Sequence, residues 1–245
     1  MLAAQQSAVQ QLFPAKASNY LTDVAGVIDD ASAATINDLA ARLRTATGAE
    51  LAVVTLPTIK DRAPGDVALA IGRTWGVGAQ GEAGDSAKNA GIVLLLVPRT
   101  PEHKGEIYLA TGRGIEGIIT DATAGRITDL MLPQLREAQW GAALVLGTRA
   151  VVSTVAKGYG VSDSVLAAAD PFTGDSGSDG KINPVVIFII LIVVFSIISS
   201  MSKGGRGGRG PMIFPGGGGF GGGGGGFGGF GGGGGFSGGG GGRSF

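Results

Sequence analysis

The chain has 245 residues, no cysteine and a single histidine, which excludes a disulfide scaffold, a thiolate nucleophile, a cysteine zinc site and any multi-histidine metal centre. Acidic and basic side chains balance at 19 each, yet every Asp and Glu lies within residues 1–180. An acidic folded part lacks the basic face that nucleic acid needs, so a nucleic-acid module is excluded as well. Glycine is as unevenly placed, with 27 of 48 after residue 203, and the chain reads as three different polymers.

Residues 1–18 form an N-terminal segment. Met1-Leu2-Ala3-Ala4-Gln5-Gln6 resembles the remnant of a signal peptide near its cleavage site, so the expected start lies upstream and the domain that follows is exported. The competing reading is a cytoplasmic domain on a tail-anchor-like span. Asp29-Asp30 precede Ile36, Leu39, Ala40 and Leu43 at helical spacing, with Gly48 just past them, which predicts a capped amphipathic helix. Glu50 to Leu56 is a β-branched run closed by Pro57, hence a strand, and Pro64 to Trp75 reads as a second helix. Gly76 to Asn89 is a polar loop. Gly91 to Val97 is wholly apolar, as a central strand buried on both faces requires. Glu106 to Thr111 returns beside it, with His103 on the tip between them. Asp121 to Leu132 reads as a helix broken at Pro133, and Gly141 to Lys157 as the last one. Trp75 and Trp140 read as packing residues.

Beyond a linker over 159–181, residues 182–201 are uncharged and apolar, long enough for a transmembrane helix. Asp170, Asp175 and Asp179 precede this span, and Lys203, Arg206 and Arg209 follow it. The positive-inside rule then predicts a single-pass membrane protein with its domain extracytoplasmic (periplasmic) and its tail cytoplasmic. Residues 202–245 are glycine punctuated by phenylalanine, a composition that predicts a disordered tail.

Several polar side chains converge by topology. Asp85, Lys88 and Asn89 precede the central strand, and Gly112-Arg113-Gly114 leaves the antiparallel return strand at that same end. Asp121 follows near a helix start. Oxygen ligands without His or Cys suit Ca²⁺, with Mg²⁺ as the alternative, while Lys88, Asn89 and Arg113 would hold an anion or substrate. N-capping and turn chemistry compete for the same aspartates, and a solvated loop for Arg113. Gly112 to Gly117 matches G-x-G-x-x-G, but no strand follows to carry the acidic residue of a dinucleotide site, so no dinucleotide partner is expected.

Leu21-Thr22-Asp23-Val24-Ala25-Gly26-Val27-Ile28, Trp75-Gly76-Val77-Gly78, Lys88-Asn89-Ala90-Gly91 with its apolar run, and Thr111 to Asp121 form an ordered series. In order and spacing it resembles the TPM domain, over residues 19–158, and the span and Gly/Phe tail are similar to those of bacterial membrane-anchored members. Ala90 departs from the Asn the family often has before the glycine. The resemblance implies an α/β fold, an αβα sandwich with a small mixed sheet, and calcium binding in some members. It also brings Asp23 into a metal set with Asp85 and Asp121, although Asp23 falls at the other end of the sheet unless residues 23–29 carry it across. A lumenal member linked to photosystem II repair is an acid phosphatase, and an animal member is a receptor accessory protein.

Three functions follow. The first is a membrane-anchored extracytoplasmic binding, assembly or repair module, divalent-cation dependent, with the membrane and a membrane protein as partners. The second is a phosphate-ester hydrolase like the acid phosphatase, for which the residues supply no evident nucleophile, leaving the catalytic residues unknown. The third is a structural membrane protein that works through its tail.

Overall fold

The computed structural model describes residues 9–78, 89–162, 227–232 and 235–245, all within one compact unit. The apolar segment 182–201, the linker beyond residue 162 and the N-terminal residues 1–8 lie outside the described residues. Among the described residues, no helix is long and apolar enough to cross a membrane.

Five strands form one mixed sheet in the order β1 (Leu21–Asp23), β2 (Glu50–Thr55), β3 (Gly91–Val97), β4 (Glu106–Gly112) and β5 (Phe236–Ser244). The first three run parallel, β4 is antiparallel to β3, and β5 is antiparallel to β4. Among the described residues, four long helices cover it: α1 (Asp30–Thr47), α2 (Pro64–Trp75), α3 (Asp121–Arg136) and α4 (Trp140–Gly158).

Local chemistry explains the helix ends. The Asp29 carboxylate accepts the Ser32 N–H at 2.9 Å, and Gly48 closes α1 at φ 73°, a left-handed conformation that costs glycine little. Ile36, Ala40 and Leu43 then fall on one buried stripe. In α2 the same role is played by Val67, Ile71 and Trp75, behind a proline in the first turn where no N–H is missed.

Strand alternation assigns the layers. Leu51, Val53, Ile92, Leu94, Ile107 and Leu109 pack against α1, α3 and α4 on one face. Ala52, Val54, Val93, Leu95 and Ala110 meet α2 on the other, with Val9 and Phe13 beside it. All seven residues of β3 are buried, as a strand between two helical layers must be. Fully burying each Leu or Ile of these layers contributes about 2 kcal/mol.

Two expectations about the elements need correction. Pro133 does not break α3, which runs through it to Arg136. The hydrogen bond it forgoes would go to the Asp129 carbonyl, at an exposed position in the last turns where water can take its place. The tail is not disordered at its end: residues 236–244 form β5, paired from Glu106↔Ser244 through Thr111↔Gly239, with an irregularity before Gly112↔Phe236. Its glycines are what the position demands, because a Cβ on Gly241 would stand 2.7 Å from the Gly125 nitrogen in α3. Backbone hydrogen bonds and buried phenylalanine offset the ordering entropy that composition alone leaves unopposed.

Candidate functional site

The sheet register decides which sequence-level candidates meet. Glu50 stands beside Gly91, and Ile92 beside Thr111, so the start of β2, the start of β3 and the exit of β4 share one end. Asn89 sits there in a left-handed conformation, φ 55°, and its carbonyl accepts the Gly114 N–H at 3.1 Å. Asn89 and the Gly112–Arg113–Gly114 turn are therefore joined, as the antiparallel return requires. Asp85 and Lys88 lie outside the described residues.

Asp121 occupies the first turn of α3, near this end. Thr120 is the helix cap, its hydroxyl accepting the Thr123 N–H at 3.3 Å, which leaves the Asp121 carboxylate for another partner. That partner is the Gly240 N–H, at 2.7 Å. The position a Cβ would take on Gly239 lies 3.1 Å from both Thr111 Oγ1 and Glu116 Oε1, and 3.4 Å from Asp121 Oδ1. Thr111 Oγ1 is buried without a hydrogen-bond partner among the described residues. Three side-chain oxygens thus surround one point of the tail backbone. No group of three His, Cys, Asp or Glu side chains gathers anywhere among the described residues.

Asp23 is not with them. It pairs with Thr55, which stands beside Leu96 and hence Ile107, so it lies at the opposite end of the sheet from Arg113, about 20 Å away along the strands. Its carboxylate is used locally, accepting from the Thr55 hydroxyl and from the N–H groups of Gly26 (3.0 Å), Val27 (3.3 Å) and Ile28 (3.0 Å). The turn it organises feeds α1. Asp23→Ala should cost about 2 kcal/mol, the loss of several such bonds, and leave any cation response at Asp121 intact. Thermal melts with and without Ca²⁺ check both parts.

The main finding at this end is what covers it. The tail reaches the sheet beside Tyr20, where the Phe227 ring packs edge-on at 4.8 Å, and Phe230 then stacks on Trp75. Arg44 donates to the Gly229 carbonyl at 2.8 Å. Glu50, only 1% exposed, accepts the N–H of Gly231 at 2.8 Å and that of Gly78 at 2.8 Å, and pairs with Arg44 at 3.0 Å. The Tyr20 side chain, hydrogen-bonded to Arg44, holds that guanidinium above its ordinary pKa, with the Glu50 charge adding to the effect against partial burial. Further on, the Arg113 N–H donates to the Gly235 carbonyl at 3.0 Å, Gly235 presses on the Asn89 side chain, and Arg73 donates to the Phe236 carbonyl at 2.9 Å. Along β5, Gly240 and Gly242 lie against Tyr108, whose phenol is pushed above its ordinary pKa by burial and then by the charges of Asp121 and Asp66.

Asn89, Arg113 and Asp121 are thus all engaged by the tail backbone. Glu50, Arg44, Glu116 and Thr111 join the same end, and none of them was signalled by spacing. Glu50 reads as the first residue of a strand, and only a buried carboxylate with several donors reveals its role.

Among curated proteins, none matches the chain. A solution NMR structure of the N-terminal domain of a protein from P. gingivalis is 30% identical, covering 58% of this chain and 85% of that one, with a TM-score of 0.48. The family model for the TPM domain, labelled TPM phosphatase, matches residues 21–154. That match takes in more than half of the sequence and every element from β1 to most of α4, and the chain belongs to the TPM domain family.

Proposed function

We propose that this chain is a membrane-attached, extracytoplasmic binding and assembly module whose ligand is an extended peptide strand laid along β4 and over the Asn89–Arg113–Asp121 end of the sheet. The observation that carries this reading is that all three residues meet the tail backbone: the Arg113 main-chain N–H donates to Gly235, Asp121 accepts from Gly240, and the Asn89 side chain lies against Gly235. Main-chain hydrogen bonds with side-chain anchors are how a sheet edge recognises a strand. A divalent cation, Ca²⁺ with Mg²⁺ as the alternative, belongs to this reading at Asp121, because a carboxylate oxygen suits a hard ion. A membrane-protein partner would present its strand to the same edge.

Phosphate-ester hydrolysis is the second reading, favoured by the label of the matching family model. Arg113 could neutralise a phosphate there. The sequence has no cysteine, however, and His103 sits on the β3–β4 turn at the far end from Arg113, so neither activates a nucleophile at this site.

The deciding experiment combines binding and turnover. Millimolar Ca²⁺ should raise the melting temperature of the full chain, and Asp121→Asn should abolish the rise. Hydrolysis of a generic phosphate monoester should stay below about 1 s⁻¹, the low end of ordinary enzymes. Faster turnover lost in Arg113→Ala would make the hydrolase the correct reading.

A further inference from the structure

An edge strand presents a row of open N–H and C=O groups to any chain that can pair with it. Here the outer edge of β4 is closed by β5, which is joined to the domain through residues 163–226, more than sixty residues of chain. The seat is shaped for that strand. Phe236 is 2% exposed, and a Cβ on Gly72 would stand 2.6 Å from its ring. Phe245 fills the space that a side chain at Gly105 would need, and its ring lies 6.0 Å from that of Trp140. Polar contacts set the register: Arg243 forks onto Asp129 at 2.6 and 2.9 Å, and the Ser244 hydroxyl donates to Glu106 at 2.8 Å.

Such a seat reads an extended, glycine-rich chain with phenylalanine at fixed positions. Nothing in these contacts depends on which copy supplies that chain. The resident strand is separated from α4 by residues 163–226, and the effective concentration that a linked segment can reach is about millimolar at most and falls with the number of intervening residues. Copies gathered on one membrane surface compete on comparable terms.

We propose that the β4 edge is a strand-acceptor site that takes up the C-terminal strand of a second copy as well as its own, so that copies are joined by exchange of residues 227–245. The proposal rests on the binding-module reading above and names its partner. Exchange creates no new contact, because each acceptor edge is filled by an identical strand.

The test titrates the full chain, purified in detergent, with a fluorescent synthetic peptide of residues 227–245. Saturable capture is expected, weakened at least tenfold by Phe236→Ala in the peptide. The same substitution in the chain loosens the resident strand and should tighten capture of the unmodified peptide at least tenfold. If that chain loses its helical circular dichroism, Phe245→Ala, at the end of the strand, takes its place. Absence of capture by the unmodified chain and by either variant, up to millimolar peptide, overturns the proposal. Equal capture of the unmodified and Phe236→Ala peptides overturns it too. A Ca²⁺-dependent melting shift without peptide capture rejects exchange and leaves the module reading standing.

Discussion

Replacing Phe236 with alanine should detach β5 from β4 while the rest of the sheet stays folded. Phe236 is the one phenylalanine of the described tail that is fully inside the core, packed with Val93, Leu95, Ala110 and α2. Truncating a buried phenylalanine costs about 3–5 kcal/mol. The strand's remaining anchors, among them the exposed Arg243–Asp129 and Ser244–Glu106 contacts, are each worth less than that loss. Five of its nine residues are glycine, each with a backbone ordering cost of about 1–2 kcal/mol, against a net gain of about 1 kcal/mol per hydrogen bond. Hydrogen exchange at the β4 amides should therefore rise sharply in Phe236→Ala. Emission from Trp75 and Trp140, the two tryptophans of the chain, should shift together, because Phe230 stacks on one and Phe245 packs on the other. Unchanged protection in β4 would show that the strand is held by something other than this anchor.

Glu50→Gln should lower domain stability by about 3 kcal/mol. The carboxylate is buried, it accepts the N–H groups of Gly78 and Gly231, and it balances Arg44, whose side chain is 35% exposed. Removing its charge leaves Arg44 without a counter-ion and turns one accepting oxygen into a donor facing N–H groups. The exposure of Arg44 moderates the loss, which for a fully buried pair reaches about 5 kcal/mol. For a domain of this size the change corresponds to a fall in melting temperature of roughly 6–12 °C, readable by calorimetry. Asp38→Asn is the matched control. It breaks the Arg42–Asp38 pair, 2.7 Å apart on the exposed face of α1, and should cost no more than about 0.5 kcal/mol. Equal effects from the two substitutions would reduce the Glu50 cluster to an ordinary surface pair.

How much of this was legible in sequence differs element by element, for physical reasons. The ends of α1 were marked by Asp29 and Gly48, and β3 by an unbroken apolar run, because capping and burial leave local traces. β1 has only three residues, too few to show a period, and it exists because β2 offers it an edge. β5 is the larger omission. Its glycines read as disorder when their entropy is counted without a partner, yet the partner (the open edge of β4 and the space above Gly72) exists only in three dimensions. The site divides the same way. That Asn89 meets the turn at Arg113 follows from antiparallel pairing alone. The place of Asp121 beside Gly240, and the Gly231 donor to Glu50, depend on a return of the tail that spacing did not reveal.

The return of β5 to the sheet also constrains how the chain can be threaded through a bilayer. The residues up to 162 and those from Phe227 onward belong to one compact unit. A path that departs from and comes back to one compartment crosses a membrane an even number of times, zero included. With β5 docked on β4, the domain and the end of the tail share a compartment, so the expected single crossing by residues 182–201 belongs to a chain whose β5 is undocked. The same parity binds a strand donated by another copy inserted in the same orientation. Reporters fused before Met1 and after Phe245 should accordingly sense one compartment whenever β5 is docked, and opposite compartments would mean that the ladder and the crossing belong to different states of the chain.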